Sequence, residues 1–261
     1  MARSLKILAF ILIGALLSIG VLHSCKKKQE LIEVVTEPNQ NEDSSLPGLP
    51  ISEGEIIQHQ YYALAYSETN EQAAWVAYHM HDSMLFGDVD RTDDFREDPF
   101  VSSRSAQLSD YKGSGYDRGH LCPAGDMTFS EIAMSESFFM SNMSPQTASF
   151  NRGIWKRLES QVRDYVALEK ELYVVTGPVF RNNIGSIGEN KVTVPGHYYK
   201  VLYAPKSKKM TAYLLTHKGS SDELESFVVS VDFVEAETNI DFFAGLEDDL
   251  ENRLEGSKTT W

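Results

Sequence analysis

The chain has 261 residues, 42% of them hydrophobic and 24% charged, which excludes wholesale disorder, collagen and coiled coil. With 24 Lys and Arg against 38 Asp and Glu, the formal net charge of −14 excludes a generally basic nucleic-acid coat, so any polyanion has to be met by a local basic site. Two cysteines, Cys25 and Cys122, make neither a disulfide framework nor an all-thiolate zinc site.

Residues 1–24 read as a lipoprotein signal peptide. Arg3 and Lys6 give a positive start, ILAFILIGALLSIGVL is the apolar core, and LHSC ends in a cysteine after the small Ser24. The apolar run of about 16 residues falls short of the roughly 20 that a spanning helix needs. The expectation is cleavage before Cys25, whose thiol takes lipid, leaving an exported chain anchored to a bacterial membrane and facing periplasm or exterior. Residues 25–55 read as a flexible tether, with three prolines and few large apolar residues. Lys26, Lys27 and Lys28 suit either lipid headgroups or water.

One folded domain is expected over 56–255, because no second linker follows. QYYALAYSETNEQAAWVAYHM predicts a hairpin: Tyr62, Leu64 and Tyr66 alternate before a polar turn, then Trp75, Ala77 and His79. Residues 88–115 are polar, with turn signals at Gly113 and Gly115. TFSEIAMSESFFM predicts a helix over 128–140, with Ile132, Phe138 and Phe139 as its apolar residues, and a second helix spans about 150–169. ELYVVTGPVF, YYKVLYA, KMTAYLLT and FVVSVDF read as strands, and LEDDLENRL as an acidic amphipathic segment.

The chemistry concentrates in SGYDRGHLCPAGDM (114–127). A histidine takes a proton from water near neutral pH, and an arginine clamps phosphate oxygens, so Arg118 and His120 in a glycine-bearing turn suit attack on a phosphate. A histidine that merely caps a turn is the plainer alternative. Downstream lie Asn142, Asn151 and Glu159. At 100° per residue, Ile154, Trp155, Leu158, Val162 and Tyr165 fall within about 60° of Asn151, which therefore sits in the apolar arc of its helix. An inward amide needs a partner or costs about 1–3 kcal/mol; a metal ion, an N-cap or a buried hydrogen bond would each serve. Glu159 lies two turns on, about 12 Å along the axis. One histidine, one asparagine and flanking arginines suit a hydrated hard cation such as Mg²⁺, and the set is too poor in His and Cys for zinc.

These segments resemble the sugar-nonspecific DNA/RNA endonucleases, the group with a ββα-metal finger that includes endonuclease G. The signature DRGH stands at Asp117, Arg118, Gly119 and His120, followed or preceded in the family's order by DFREDPF, SNMSPQ, FNRGIWKRLE, VVTGPVF and VPGHYYKVLY, over roughly residues 60–250. The resemblance implies an α+β fold, a central mainly antiparallel sheet flanked by helices. It implies metal-dependent hydrolysis of DNA and/or RNA phosphodiesters without sequence preference. His120 would be the general base, Asn151 the one direct protein ligand of Mg²⁺ (or Mn²⁺), and Glu159 would hold metal-bound water. Asn142 would position the histidine or the substrate, while Arg118 and Arg91 would stabilise the phosphorane charge, with Arg96 an alternative to Arg91. Homodimers are common in the family, but no segment marks a dimer face here.

The acidic body opposes a polyanionic substrate: between residues 91 and 163, nine basic residues meet ten acidic ones. A small basic cleft with modest affinity is the expectation. Three other readings compete. One is an anchored nucleic-acid-binding lipoprotein without catalysis. Another is a thiol enzyme using Cys122, against which a buried core cysteine is the plainer reading. The third is a metal site at His79 and His81, which alternate on a strand and share a face; with no third ligand nearby in the sequence, a cross-strand or surface pair is expected.

Overall fold

The computed structural model describes residues 47–261. The signal peptide, Cys25, Lys26–Lys28 and most of the tether lie outside the described residues. Eleven strands are described: β1 (Glu55–Gln58), β2 (Tyr62–Ser67), β3 (Gln72–His81), β4 (Asp117–His120), β5 (Met143–Gln146), β6 (Glu171–Val179), β7 (Gly185–Ile187), β8 (Val192–Val194), β9 (His197–Ala204), β10 (Lys209–Thr216) and β11 (Val228–Val229). The α-helices are α1 (Leu108–Tyr111), α2 (Glu131–Glu136), α3 (Lys156–Glu169), α4 (Val231–Thr238) and α5 (Asp248–Glu255). The fold is α+β, as expected.

Seven strands form one antiparallel sheet in the order β1-β2-β3-β6-β9-β10-β11. The β2–β3 hairpin forms with a register shift at Ala65/Tyr66. Both faces of the sheet are covered, which is why β2 and β9 are buried nearly throughout rather than alternately. Tyr62, Leu64, Tyr66, Val76, Tyr78, Tyr198 and Leu202 face Ile154, Trp155, Leu158 and Val162 of the long helical segment. Residues of opposite parity, Ala63, Ala65, Trp75, Tyr199, Val201 and Tyr203, face Val231, Val234, Phe242 and Phe243.

Two expected elements differ. The helix expected over 128–140 is α2 alone, six residues capped by Ser130; Ile132 faces solvent at 51% exposure, while Phe138 and Phe139 are buried in the turn that follows. FVVSVDF is a two-residue strand followed by a helix, because the Ser230 hydroxyl accepts from the Phe233 N–H and starts α4. Ordered packing also reaches past the expected domain bounds. Ile51 bridges Asp241, Trp75 Nε1 donates to Ser52 Oγ at 2.8 Å, and Trp261 stacks on Tyr165 with 4.7 Å between ring centres.

Candidate active site

The site stands on the β4–β5 ribbon and the helix after it, a ββα unit. The ribbon pairs Asp117 with Gln146 and His120 with Met143. It is fastened to the main sheet through Ser144, whose hydroxyl donates to Gln72 Oε1 at 2.5 Å and lies 2.7 Å from the Tyr198 hydroxyl; that hydroxyl donates to the Pro145 carbonyl at 2.8 Å. At Gly119 the strands are too close for a side chain: a Cβ would lie 2.2 Å from the Gln146 side chain.

His120 is 8% exposed and meets the rings of Phe95 and Phe138 edge-on, at 5.8 and 4.9 Å between centres. The same rings carry the two arginines. Arg118 lies 3.9 Å over Phe95 and Arg91 lies 4.7 Å over Phe138, so cation–π contacts hold both guanidinium groups beside the imidazole. Burial, and then the charges of Arg91 and Arg118, push the His120 ring down to about 3, which keeps it neutral at physiological pH. Its Nε2 is buried and has no hydrogen-bond partner among the described residues. Arg96 is used elsewhere: it bonds Asp94 and the Ser135 carbonyl and stacks on Phe139.

Asn151 sits in a π-helical turn, Phe150–Trp155, that precedes α3. A kink at Gly153, whose backbone is non-helical at φ −105° and ψ −110°, breaks the regular 100° step, and Asn151 is half-buried rather than deep in the apolar arc. Its Nδ2 donates to Asp117 Oδ2 at 3.0 Å. Asp117 also receives Arg152 Nε at 2.9 Å and Nη2 at 2.7 Å, and these donors hold its carboxyl below the usual range against the cost of burial. With its NH₂ turned to Asp117, the Asn151 amide presents its carbonyl oxygen to another partner. Arg91, Phe95, Arg118, Asp117, Asn151 and Arg152 together line a cleft of about 600 Å³. With Lys112 and Asp93 included, four cations meet two carboxylates there, so the cleft is basic on an acidic molecule.

Asn142 and Glu159, like His120 itself, are not among the residues that line this cleft. Asn142 is fully buried; its Nδ2 donates to the carbonyls of Cys122 and Ser137 at 2.9 and 2.8 Å, and its Oδ1 accepts from the Cys122 N–H at 2.8 Å. It fixes the backbone just after His120. Glu159 does not line the cleft. The charges acting on it are those of Lys200, Asp126, Arg163 and Lys156, and burial raises its carboxyl. Cys122 is fully buried, and burial pushes its thiol up and so favours the unreactive thiol, in keeping with a core cysteine.

The DNA/RNA non-specific endonuclease family model matches residues 40–249. The chain belongs to that family. It is 34% identical over 220 residues to the mitochondrial nuclease EXOG of Mus musculus, covering 77% of this chain and 60% of the mouse protein. Nuclease C1 of Cunninghamella echinulata var. echinulata is 36% identical over 219 residues, covering 77% and 87%. Human mitochondrial endonuclease G is 33% identical over 214 residues, covering 76% and 71%. A crystal structure of EndoG in complex with EndoGI superposes with a TM-score of 0.73 at 29% identity, covering 81% of this chain and 94% of that one. The match thus spans less than two thirds of the mouse and zebrafish EXOG nucleases.

Three features of this family member escaped the sequence reading. Asp117, the first residue of DRGH, ties Asn151 to Arg152. Phe95 and Phe138 wall the histidine and seat the arginines. Lys200 is fully buried, its Nζ lacks a hydrogen bond among the described residues, and it lies 4.9 Å from the Trp155 ring. A lone charge in the middle of the apolar run YYKVLY was the available signal for it.

Proposed function

We propose that this protein is a metal-dependent, sequence-nonspecific endonuclease that hydrolyses phosphodiester bonds of DNA and/or RNA. The observation that carries this reading is a neutral, aromatic-walled imidazole with an orphaned Nε2, flanked by two seated arginines beside a basic cleft. Arg91 and Arg118 bind the phosphate and oppose the negative charge that grows on it. A bound phosphate also neutralises the two charges that depress His120, so the imidazole becomes a stronger base once substrate is in place. His120 then takes the proton from the attacking water, while Phe95 and Phe138 keep bulk solvent from the ring.

The donors fit a hydrated Mg²⁺ or Mn²⁺: a single oriented carboxamide oxygen at Asn151, with Asp117 setting its direction. When bound, the ion supplies charge at the non-bridging and leaving oxygens. Contacts to the sugar–phosphate backbone carry no base code, which accounts for weak sequence preference. The N-terminal signal reading supports an exported protein held at a membrane through lipid on Cys25. Supercoiled plasmid and a folded RNA, each incubated with Mg²⁺ or with EDTA, test the proposal. Nicking and RNA breakdown with Mg²⁺ and none with EDTA are expected; undiminished cleavage in EDTA, or none with either Mg²⁺ or Mn²⁺, rejects it.

A further inference from the structure

We propose that His79, His81 and Glu171 form a second metal site, suited to a borderline transition ion such as Zn²⁺ and separate from the cleft. β3 runs on past the start of β2, so its last residues pair with β6 alone: His79 opposite Tyr173, and His81 opposite Glu171. Residues 79, 81 and 171 share one face by strand parity. Their ligand atoms all lie within 4.8 Å of one another. The strand pairing thus supplies the third donor that the local sequence lacked.

The donors are held ready. The His79 ring stacks on Tyr173 at 4.0 Å and 5° and lies 4.1 Å from the His81 ring. His79 Nε2 is buried, has no hydrogen bond among the described residues, and lies 3.8 Å from Glu171 Oε1. Glu171 uses its other oxygen, Oε2, for Lys206 Nζ at 3.5 Å, which leaves Oε1 toward the histidines.

Two imidazoles and one carboxylate make a His₂Glu set, which prefers zinc and its neighbours over the all-oxygen ions Mg²⁺ and Ca²⁺. The catalytic reading requires a hard ion at Asn151, so the two sites select different metals. Asn151 precedes α3 and Glu171 follows it, about 21 Å along the helix axis. At this end of the helix the Asp82 N–H donates to the Lys170 carbonyl at 3.0 Å. An ion here would clip the end of β3 to the start of β6 and stabilise the folded chain by mass action. The inference does not rest on the nuclease reading.

The test uses metal-free full chain titrated with ZnCl₂, read by calorimetric stoichiometry and by the shift in Tm, beside His81→Ala and Glu171→Gln. His81 is exposed, so its variant retains the fold, and neither residue belongs to the nuclease machinery. The wild type is expected to bind one more zinc than either variant and to show a zinc-dependent rise in Tm that the variants lack. Affinity at this site should fall by more than the 10–100-fold typical of losing a mere supporting hydrogen bond, roughly. Cleavage with Mg²⁺ should be the same in all three proteins. Equal zinc stoichiometry and equal Tm shifts in wild type and both variants would overturn the proposal, as would no zinc binding by the wild type.

Discussion

A histidine becomes a base through what surrounds it. Burial between Phe95 and Phe138 disfavours the charged form of His120, and the seated arginines disfavour it further. His120→Ala should lower cleavage by about 10²–10⁴-fold, the usual range for a general base, while nucleic-acid binding stays near the parent value in a filter or anisotropy assay. Full activity in that variant would refute the assignment. Arg91→Gln removes one of the positive charges that disfavour imidazolium. The His120 ring should therefore titrate higher, and the acid limb of kcat/KM should move to higher pH. A limb that stays put, or moves lower, would show that Arg91 does not act on the ring. At this scale His120, Arg118 and Asn151 stood out in the sequence by residue type and spacing, whereas Arg91 was picked out only by the family resemblance. The sequence could not display what Asn142 and Glu159 face. The buried Asn142 amide takes partners from Cys122, 20 residues back along the chain, and the setting of Glu159 on α3 depends on Lys200 of β9.

Among the elements, the β4–β5 ribbon sets the position of everything chemical, and its closeness depends on Gly119. Gly119→Ala would drive a Cβ to 2.2 Å from the buried Gln146 side chain, so the strands must part or Gln146 must leave its place. Overpacking of this kind costs about 1–3 kcal/mol. A lower Tm together with a loss of cleavage is expected, measured by thermal melt and plasmid nicking on the same preparation. An unchanged melt would mean that Gln146 simply swings aside. The hairpin, α3 and the long strands were legible from periodicity, since each buries a continuous apolar face. FVVSVDF was not, because one serine hydroxyl overrides the strand preference of the valines around it. The π-helical turn was also invisible, since a wheel drawn at a constant angle assumes the regularity that Phe150–Trp155 abandons.

For the whole molecule, the excess of carboxylates has a cost that depends on pH. Glu255 is buried beside Glu235, Glu251, Asp232 and Asp241, and burial followed by these charges pushes it up to about 9. Between the ordinary carboxylate range and that value the folded chain holds a proton that the unfolded chain has released, so this group lowers stability as pH rises. Glu255→Gln removes the cost. At pH 8.5 it should stabilise by on the order of 1 kcal/mol, about 2–4 °C in Tm for a domain of this size. Below pH 4, where the unfolded carboxyl is also protonated, the gain should vanish. A variant that gains equally at both pH values would place the effect in packing rather than in charge.

The contrast between a four-cation cleft and a body of net charge −14 reaches beyond the site itself. At a distance a long nucleic acid meets the repulsion of the body, and only at close range the attraction of the cleft. Added salt shortens the reach of the first, to about 10 Å at 0.1 M, before it weakens the second. Turnover on long substrates should therefore climb with ionic strength, peak, and then fall, whereas a purely basic surface would show decline alone. A monotonic fall from the lowest salt upward would mean that approach is not governed by the outer charge. If the peak is found, ionic strength acts as a throttle on substrate traffic.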